Sequence, residues 1–150
     1  MDLGIHGRHA ILLASSRGLG KACAESLARE GVNVVINGRT EADVHNTASE
    51  LAAKYGISAS AVVGDSSTEE TQLLLLEACP QPDIVLLNGE GPAPKFFQDI
   101  SEDDFSQSLQ KTLVGPLMFV QRVTPGMCER RFGRIVAISS AMVKSPNSAM

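Results

Sequence analysis

An α/β fold, a doubly wound parallel sheet flanked by helices, is what this 150-residue sequence predicts. Three observations predict it. Short runs rich in Val, Ile and Leu alternate with segments of helical periodicity along the whole chain. Several of those runs are apolar nearly throughout, the pattern of strands covered on both faces. A glycine-bearing turn, Ala14-Ser15-Ser16-Arg17-Gly18-Leu19-Gly20-Lys21, then joins the first run to the first helical segment, where such sheets hold their ligands.

The strand candidates are residues 10–14, 32–36, 59–63, 84–87 and 134–138. Between them, Thr40 with Asp43, Ser67 with Glu70 and Ser101 with Asp104 match the capping box, a hydroxyl followed three residues on by a carboxylate. Val44, Ala48, Leu51, Ala52 and Tyr55 share one helical face, as do Phe105, Leu109 and Leu113. Gly31 and Gly56 are natural helix stops. Pro116 and Pro125 fall in the long helix that begins around Ser101. An interior proline costs about 3 kcal/mol, so a kink, or a break near Gly115-Pro116, is expected. The order β-α-β-α-β-α-β-α-β with right-handed crossovers places the loops after each strand at the chemically active edge.

Composition narrows the function. Thirteen basic against seventeen acidic residues give a net charge of −4, which argues against a basic footprint for nucleic acid or an anionic membrane. Aromatic residues are only 4% and Trp is absent, leaving little for a base-stacking platform. Cys23, Cys79 and Cys128 are too few and scattered for a disulfide framework or a zinc site. No apolar run approaches the roughly 18 residues of a membrane span, and the start has no signal-peptide pattern. The expected setting is the cytoplasm. Arg130, Arg131 and Arg134 read as complements to a helix dipole.

The loops carry the candidate chemistry. Gly18 and Gly20 permit close approach of a phosphate to the backbone of residues 15–20, and the following helix start offers free amides. It is neither a Walker A loop nor the usual Gly-x-Gly-x-x-Gly. An NAD site places an acid about 20 residues beyond its glycines to bind the ribose 2′-hydroxyl. Here Asn37-Gly38-Arg39 stands instead. The Arg39 guanidinium, joined by Arg17, would attract a 2′-phosphate, so NADP(H) is favoured over NAD(H). A methyltransferase of similar strand order would also carry an acid there. Asp65, with Ser66, either meets the adenine amino group or simply turns the chain into the next helix. Asn88-Gly89 ends the fourth strand, where the backbone could pass beneath a ribose or nicotinamide, and Ser139-Ser140 ends the fifth.

Taken in order, these residues resemble the short-chain dehydrogenase/reductase family, most closely its 3-oxoacyl-carrier-protein-reductase-like members. The family's Thr-Gly-x-x-x-Gly-x-Gly motif stands here as Leu13-Ala14-Ser15-Ser16-Arg17-Gly18-Leu19-Gly20, with Ala14 replacing the first glycine. Its Asn-Asn-Ala-Gly motif stands as Leu87-Asn88-Gly89-Glu90. The stretch from Met127 to Ser140 matches the approach to the catalytic serine, which assigns that role to Ser140. The resemblance implies a Rossmann-fold domain over residues 1–150 that binds NADP through Ser15, Ser16, Arg17, Gly18, Leu19, Gly20, Asn37, Arg39, Asp65, Ser66, Asn88 and Gly89. It implies hydride exchange between nicotinamide and a carbonyl or alcohol substrate. A Tyr serves as acid or base, a Lys lowers its pKa, and an Asn on the long helix supports a proton relay. It also implies a homo-oligomer, dimer or tetramer, of the complete protein.

Three of those groups are missing. Thr112 stands near the position of the Asn, and Tyr55, the one tyrosine, belongs to the second helix. The Tyr and Lys are expected beyond Met150. The chain therefore reads as the front portion of a longer domain with an incomplete sheet. By itself it is expected to be inactive, or else to be a non-catalytic dinucleotide-binding module.

Overall fold

In the computed structural model, which describes residues 2–89 and 91–145, the apolar alternation in the first strand decides the layering. Strand β1 (His9–Leu12) sends Ala10 and Leu12 to one face and Ile11 to the other. It pairs in parallel with β2 (Asn33–Gly38) and with β4 (Ile84–Leu87). Strand β3 (Ala59–Val63) lies outside β2, and β5 (Arg134–Ala137) outside β4. The order is β3-β2-β1-β4-β5, all parallel, so the winding reverses between β1 and β4. Crevices in such sheets open at that switch point, beyond the carboxyl ends of the strands.

Helices α1 (Gly18–Arg29) and α2 (Glu41–Tyr55) cover one face, burying Ala24, Ala28, Val44, Ala48 and Leu51 against Leu12, Val34, Ile36 and Leu86. On the other face, Leu75 of α3 (Glu69–Ala78) and Phe119, Val123 and Met127 of α5 (Gly115–Glu129) pack on Ile11, Leu13, Val35 and Val85. Both faces of β1 are sealed, as its unbroken apolar run requires. Strand β5 departs from the expectation. All four of its residues are exposed, Val136 by 53%. It is the sheet edge, and among the described residues no strand lies beyond it.

The helix signals are met unevenly. Ser101 and Asp104 form the full capping box at the start of α4 (Glu102–Leu109). At α2 the Thr40 hydroxyl makes no cap bond, and Glu41 and Asp43 complement the dipole instead. At α3 the cap is Thr68 rather than Ser67. The Ser67 hydroxyl is drawn off by Asp65, to which it donates at 2.7 Å. Gly56 ends α2 in the left-handed region. Around Gly115-Pro116 the helical path does not break. The turn Gln110–Val114 is a π-helix that joins α4 to α5, with Pro116 at the start of α5 and Pro125 inside it.

The amino ends of the strands are pinned by Asp83, which is nearly buried. It accepts from Arg8 Nη1 at 3.3 Å and from the His9 amide at 3.1 Å. Arg130 donates to the Pro82 carbonyl at 2.8 Å, so it ties the end of α5 to the start of β4 rather than serving the dipole alone. Arg8 and Arg134 both stack on Phe132, at 3.9 and 4.7 Å from its ring centre.

One stability consequence sits at α4. Asp104 takes two hydrogen bonds from Lys95 Nζ, both at 2.7 Å, and others from the Ser101 amide and hydroxyl. The Lys95 contact first, then Ser101, holds its carboxyl well below the usual carboxylate range. A depressed carboxyl stabilises the fold fully above its unfolded pKa, about 4, and loses that contribution as pH falls towards the folded value. Protection of the α4 amides, measured against their intrinsic exchange rates, is therefore expected to fall below about pH 4, before the core opens. Unchanged α4 protection down to the acid unfolding transition would contradict this.

Candidate functional site

The carboxyl ends of β1, β2, β3 and β4 converge on a cleft of about 340 Å³. Its floor is the turn after β1. Ala14 there adopts φ +45°, a left-handed conformation that disfavours a β-carbon, at the position where the resembling motif has glycine. Gly18, at φ +58°, needs the same freedom and has it. Gly20 answers a different demand. A β-carbon there would lie 2.7 Å from the Ala14 carbonyl oxygen and 2.7 Å from Ser15 Cα, so α1 can start this close to the strand only through glycine. Substituting Ala14→Gly is expected to raise stability by about 0.5–1 kcal/mol, net of the added backbone entropy of the unfolded chain. A urea midpoint that stays put or falls at constant m-value would refute it.

Asn37 organises the cleft from beneath. Its side chain is fully buried, accepts from the Ala14 amide at 3.2 Å, and donates to the Val62 and Gly64 carbonyls, each at 3.1 Å. One amide thus ties β1, β2 and β3 together just below the opening. Ser15 lies at the same depth, with its hydroxyl donating to the Leu12 carbonyl at 2.7 Å. Asn88 donates to the Ala14 carbonyl at 2.8 Å, latching β4 onto the glycine turn. Of the polar residues expected to touch a ligand, these three spend their side chains chiefly on the scaffold. Ser16, Arg17 and Leu19 line the cleft from the turn, Arg39 from the end of β2, Asp65 and Ser66 from the end of β3, and Gly89 from the end of β4.

Arg39 follows a glycine whose surroundings would have to shift to admit a side chain. A β-carbon on Gly38 would meet Ser16 Oγ at 2.7 Å and Val44 Cγ2 at 2.9 Å. The space an acid would need is filled by α2 and by the turn, whose Ser16 carbonyl is held by the Thr47 hydroxyl at 2.9 Å. Asp65 accepts from the Ser67 amide and hydroxyl. Burial opposes its charge, but those bonds, helped by Lys111 and Arg39, hold its carboxyl below the ordinary value. The cleft therefore presents the uncapped start of α1, guanidinium groups and one ionised carboxylate.

Ser140 lies outside this cleft. It lines a neighbouring cavity of about 640 Å³, walled by Pro92, Pro94, Ile100, Phe105 and Met142. Its hydroxyl oxygen accepts from the Met142 amide at 3.2 Å, which leaves its proton free to donate. Thr112 lines the same cavity, but its hydroxyl donates back to the Ser108 carbonyl at 2.7 Å. Sequence reasoning missed Lys111, which lines both spaces. It lies in the π turn, and no local pattern announces a π turn. Among the described residues no cluster of His, Cys, Asp and Glu could hold a metal, and no helix is long and apolar enough to cross a membrane.

The family model described as short chain dehydrogenase matches residues 8–150. This chain belongs to that family. Among short-chain dehydrogenases it is 34% identical over 146 residues to the human "Inactive hydroxysteroid dehydrogenase-like protein 1", covering 94% of this chain and 44% of that protein. It is 32% identical over 146 residues to the 3-oxoacyl-[acyl-carrier-protein] reductase of Aquifex aeolicus, covering 95% of this chain and 59% of that one. The L-sorbose reductase of Gluconobacter frateurii, solved with NADPH and L-sorbose, superposes with a TM-score of 0.93 at 26% identity, over 98% of this chain and 57% of its own. The chain spans about half the length of the short-chain dehydrogenases it matches. The parallel sheet and its flanking helices are the Rossmann arrangement these proteins share.

Proposed function

We propose that this chain is the dinucleotide-binding part of an NADP(H)-dependent oxidoreductase acting on a carbonyl or alcohol compound. The observation that carries the reading is the end of β2. Gly38 offers no acid and is crowded by Ser16 and Val44, and Arg39 lines the cleft beside it. A 2′-hydroxyl would find no acid there, whereas a 2′-phosphate would meet a guanidinium.

The cleft's residues fit such a coenzyme. The first amides of α1, freed by Gly18 and Gly20, would receive its pyrophosphate. Arg39 and Arg17 would hold the 2′-phosphate, and the ionised Asp65 would accept from the adenine amino group. Gly89 offers bare backbone at the end of β4. When bound, the nicotinamide supplies the hydride. In the adjoining cavity the Ser140 hydroxyl would donate to the oxygen of the carbonyl and steady the charge that develops on it. Leu109, Leu113 and Leu117 form an exposed row along α4, the π turn and α5, which supports pairing of this face between copies of the protein.

A second reading, a dinucleotide-binding module without catalysis, is favoured by Thr112. It stands where the resembling family places its relay Asn, and its hydroxyl is spent within the helix. Fluorescence titration with NADPH and NADH tests the coenzyme assignment. NADPH is expected to bind more tightly, and equal affinity or a preference for NADH would overturn it. Carbonyl-dependent oxidation of NADPH, first by this chain and then by the complete reading frame, separates enzyme from module. The 150-residue chain alone is expected to show no measurable turnover.

A further inference from the structure

We infer that Lys111 is an oxyanion-recognising residue of the apolar cavity, and that the carbonyl compound served there carries a carboxylate on an apolar body. The inference rests on the reading of that cavity as the carbonyl site. It adds a substrate class that neither the fold nor the glycine turn specifies.

The cavity's polar inventory is short. Lys95 and Asp104, both in the lining, neutralise each other through two hydrogen bonds. Gln107 donates to Asp103 at 2.6 Å, and Thr112 donates to the Ser108 carbonyl. These groups have little left for a ligand. The Ser140 and Ser108 hydroxyls and the Lys111 ammonium remain. Among the described residues no ion pair uses the Lys111 ammonium, and Lys111 is the residue that belongs to both linings. Its charge is also felt at Asp65, another residue of the coenzyme cleft. The remaining walls are glycine, alanine, proline, isoleucine, phenylalanine and methionine.

A polyol would leave most of its hydroxyls facing carbon in such a space, at a cost for each unmet group. A ligand with an apolar middle, one carbonyl for a serine hydroxyl and one anionic end for the Lys111 ammonium matches this inventory. Lys111 also sits within the π turn Gln110–Val114. π turns recur at functional positions because they displace one residue from the regular helical face.

An oxyanion beside Lys111 could come from the carbonyl compound or from a phosphate of the coenzyme, and one experiment separates them. The full chain is titrated by ligand-observed NMR with 4-benzoylbutyrate and with its methyl ester, which differ in charge and keep the ketone and apolar body. The same titrations are run on Lys111→Met and Lys111→Arg, with NADPH titrated in parallel by fluorescence. The wild-type chain is expected to bind the acid roughly tenfold or more tightly than the ester. Lys111→Met should bring the two together, and Lys111→Arg should restore the gap. Both variants keep good helix formers on an exposed position, and circular dichroism verifies the fold. Equal binding of acid and ester by the wild type, or binding of neither, overturns the inference. So does a loss of NADPH affinity in Lys111→Met with the acid-to-ester ratio unchanged, since the oxyanion would then be the coenzyme's. Failure of the wild type to bind NADPH would instead sink the coenzyme reading and leave the acid-to-ester comparison to stand on its own result.

Discussion

Replacing Asn37 with alanine is expected to lower stability by about 3–5 kcal/mol, the cost of leaving several buried groups unmet at once. The substitution strands the Ala14 amide and the Val62 and Gly64 carbonyls, which share the Asn37 side chain. Each buried group left without a partner costs about 1–3 kcal/mol. Domains of this size hold only about 5–15 kcal/mol in total, so the variant should sit near its unfolding threshold. Aspartate at the same position should do no better. It could still accept from Ala14, but its second oxygen would face the two carbonyls that need a donor. Urea unfolding of the wild type and both variants decides the matter, and a loss under about 1 kcal/mol would show that water replaces the amide. Coenzyme affinity should fall with stability, because the same side chain fixes the strained Ala14 turn on which the glycine loop stands.

Arg39→Ala is expected to weaken NADPH binding about tenfold to a hundredfold and to leave NADH within about twofold, the difference expected of one charge-assisted contact. The two coenzymes differ only at the 2′ position, so the ratio of their affinities isolates that contact. The gap should narrow as ionic strength rises, because Arg39 is exposed and its charge is screened. The reverse engineering step, Gly38→Asp, should fail to create an NADH-preferring chain. Its β-carbon would meet Val44 Cγ2 at 2.9 Å before its carboxylate reached a ribose. An Arg39→Ala chain that loses NADH and NADPH equally would mean that the guanidinium supports the loop and not the phosphate.

The sheet was legible because its signal is local. Each of the five strands lies within two residues of an apolar run, and the parallel arrangement follows from helices between them. Gly18 and Gly20 were legible for the same reason. What escaped depends on contacts between distant segments. Asn37 looked like a ligand contact, yet its partners lie 23, 25 and 27 residues away in sequence, and only folding brings them to one side chain. Ser67 matched a capping pattern but lost its hydroxyl to Asp65, a competition that the spacing rule does not include. The prolines announce an irregular long helix, but the irregularity is a π turn, and it contains Lys111 of the cleft. The apolar run 134–138 promised a covered strand, and β5 instead stands at the margin with its side chains in solvent. Periodicity reports what a strand is suited to, and the neighbours decide whether it receives it.

That margin also has a backbone. Arg134 and Ile138 send their amides inward, to the Asp83 and Leu87 carbonyls. The two-residue repeat of a strand therefore turns the amides of Ile135 and Ala137 the other way, toward the rim. In deuterated water the strand should split into a slow set and a fast set at alternating positions. The fast set is a row of donors and acceptors spaced to receive one more parallel segment, flanked by isoleucine and valine side chains ready to be covered.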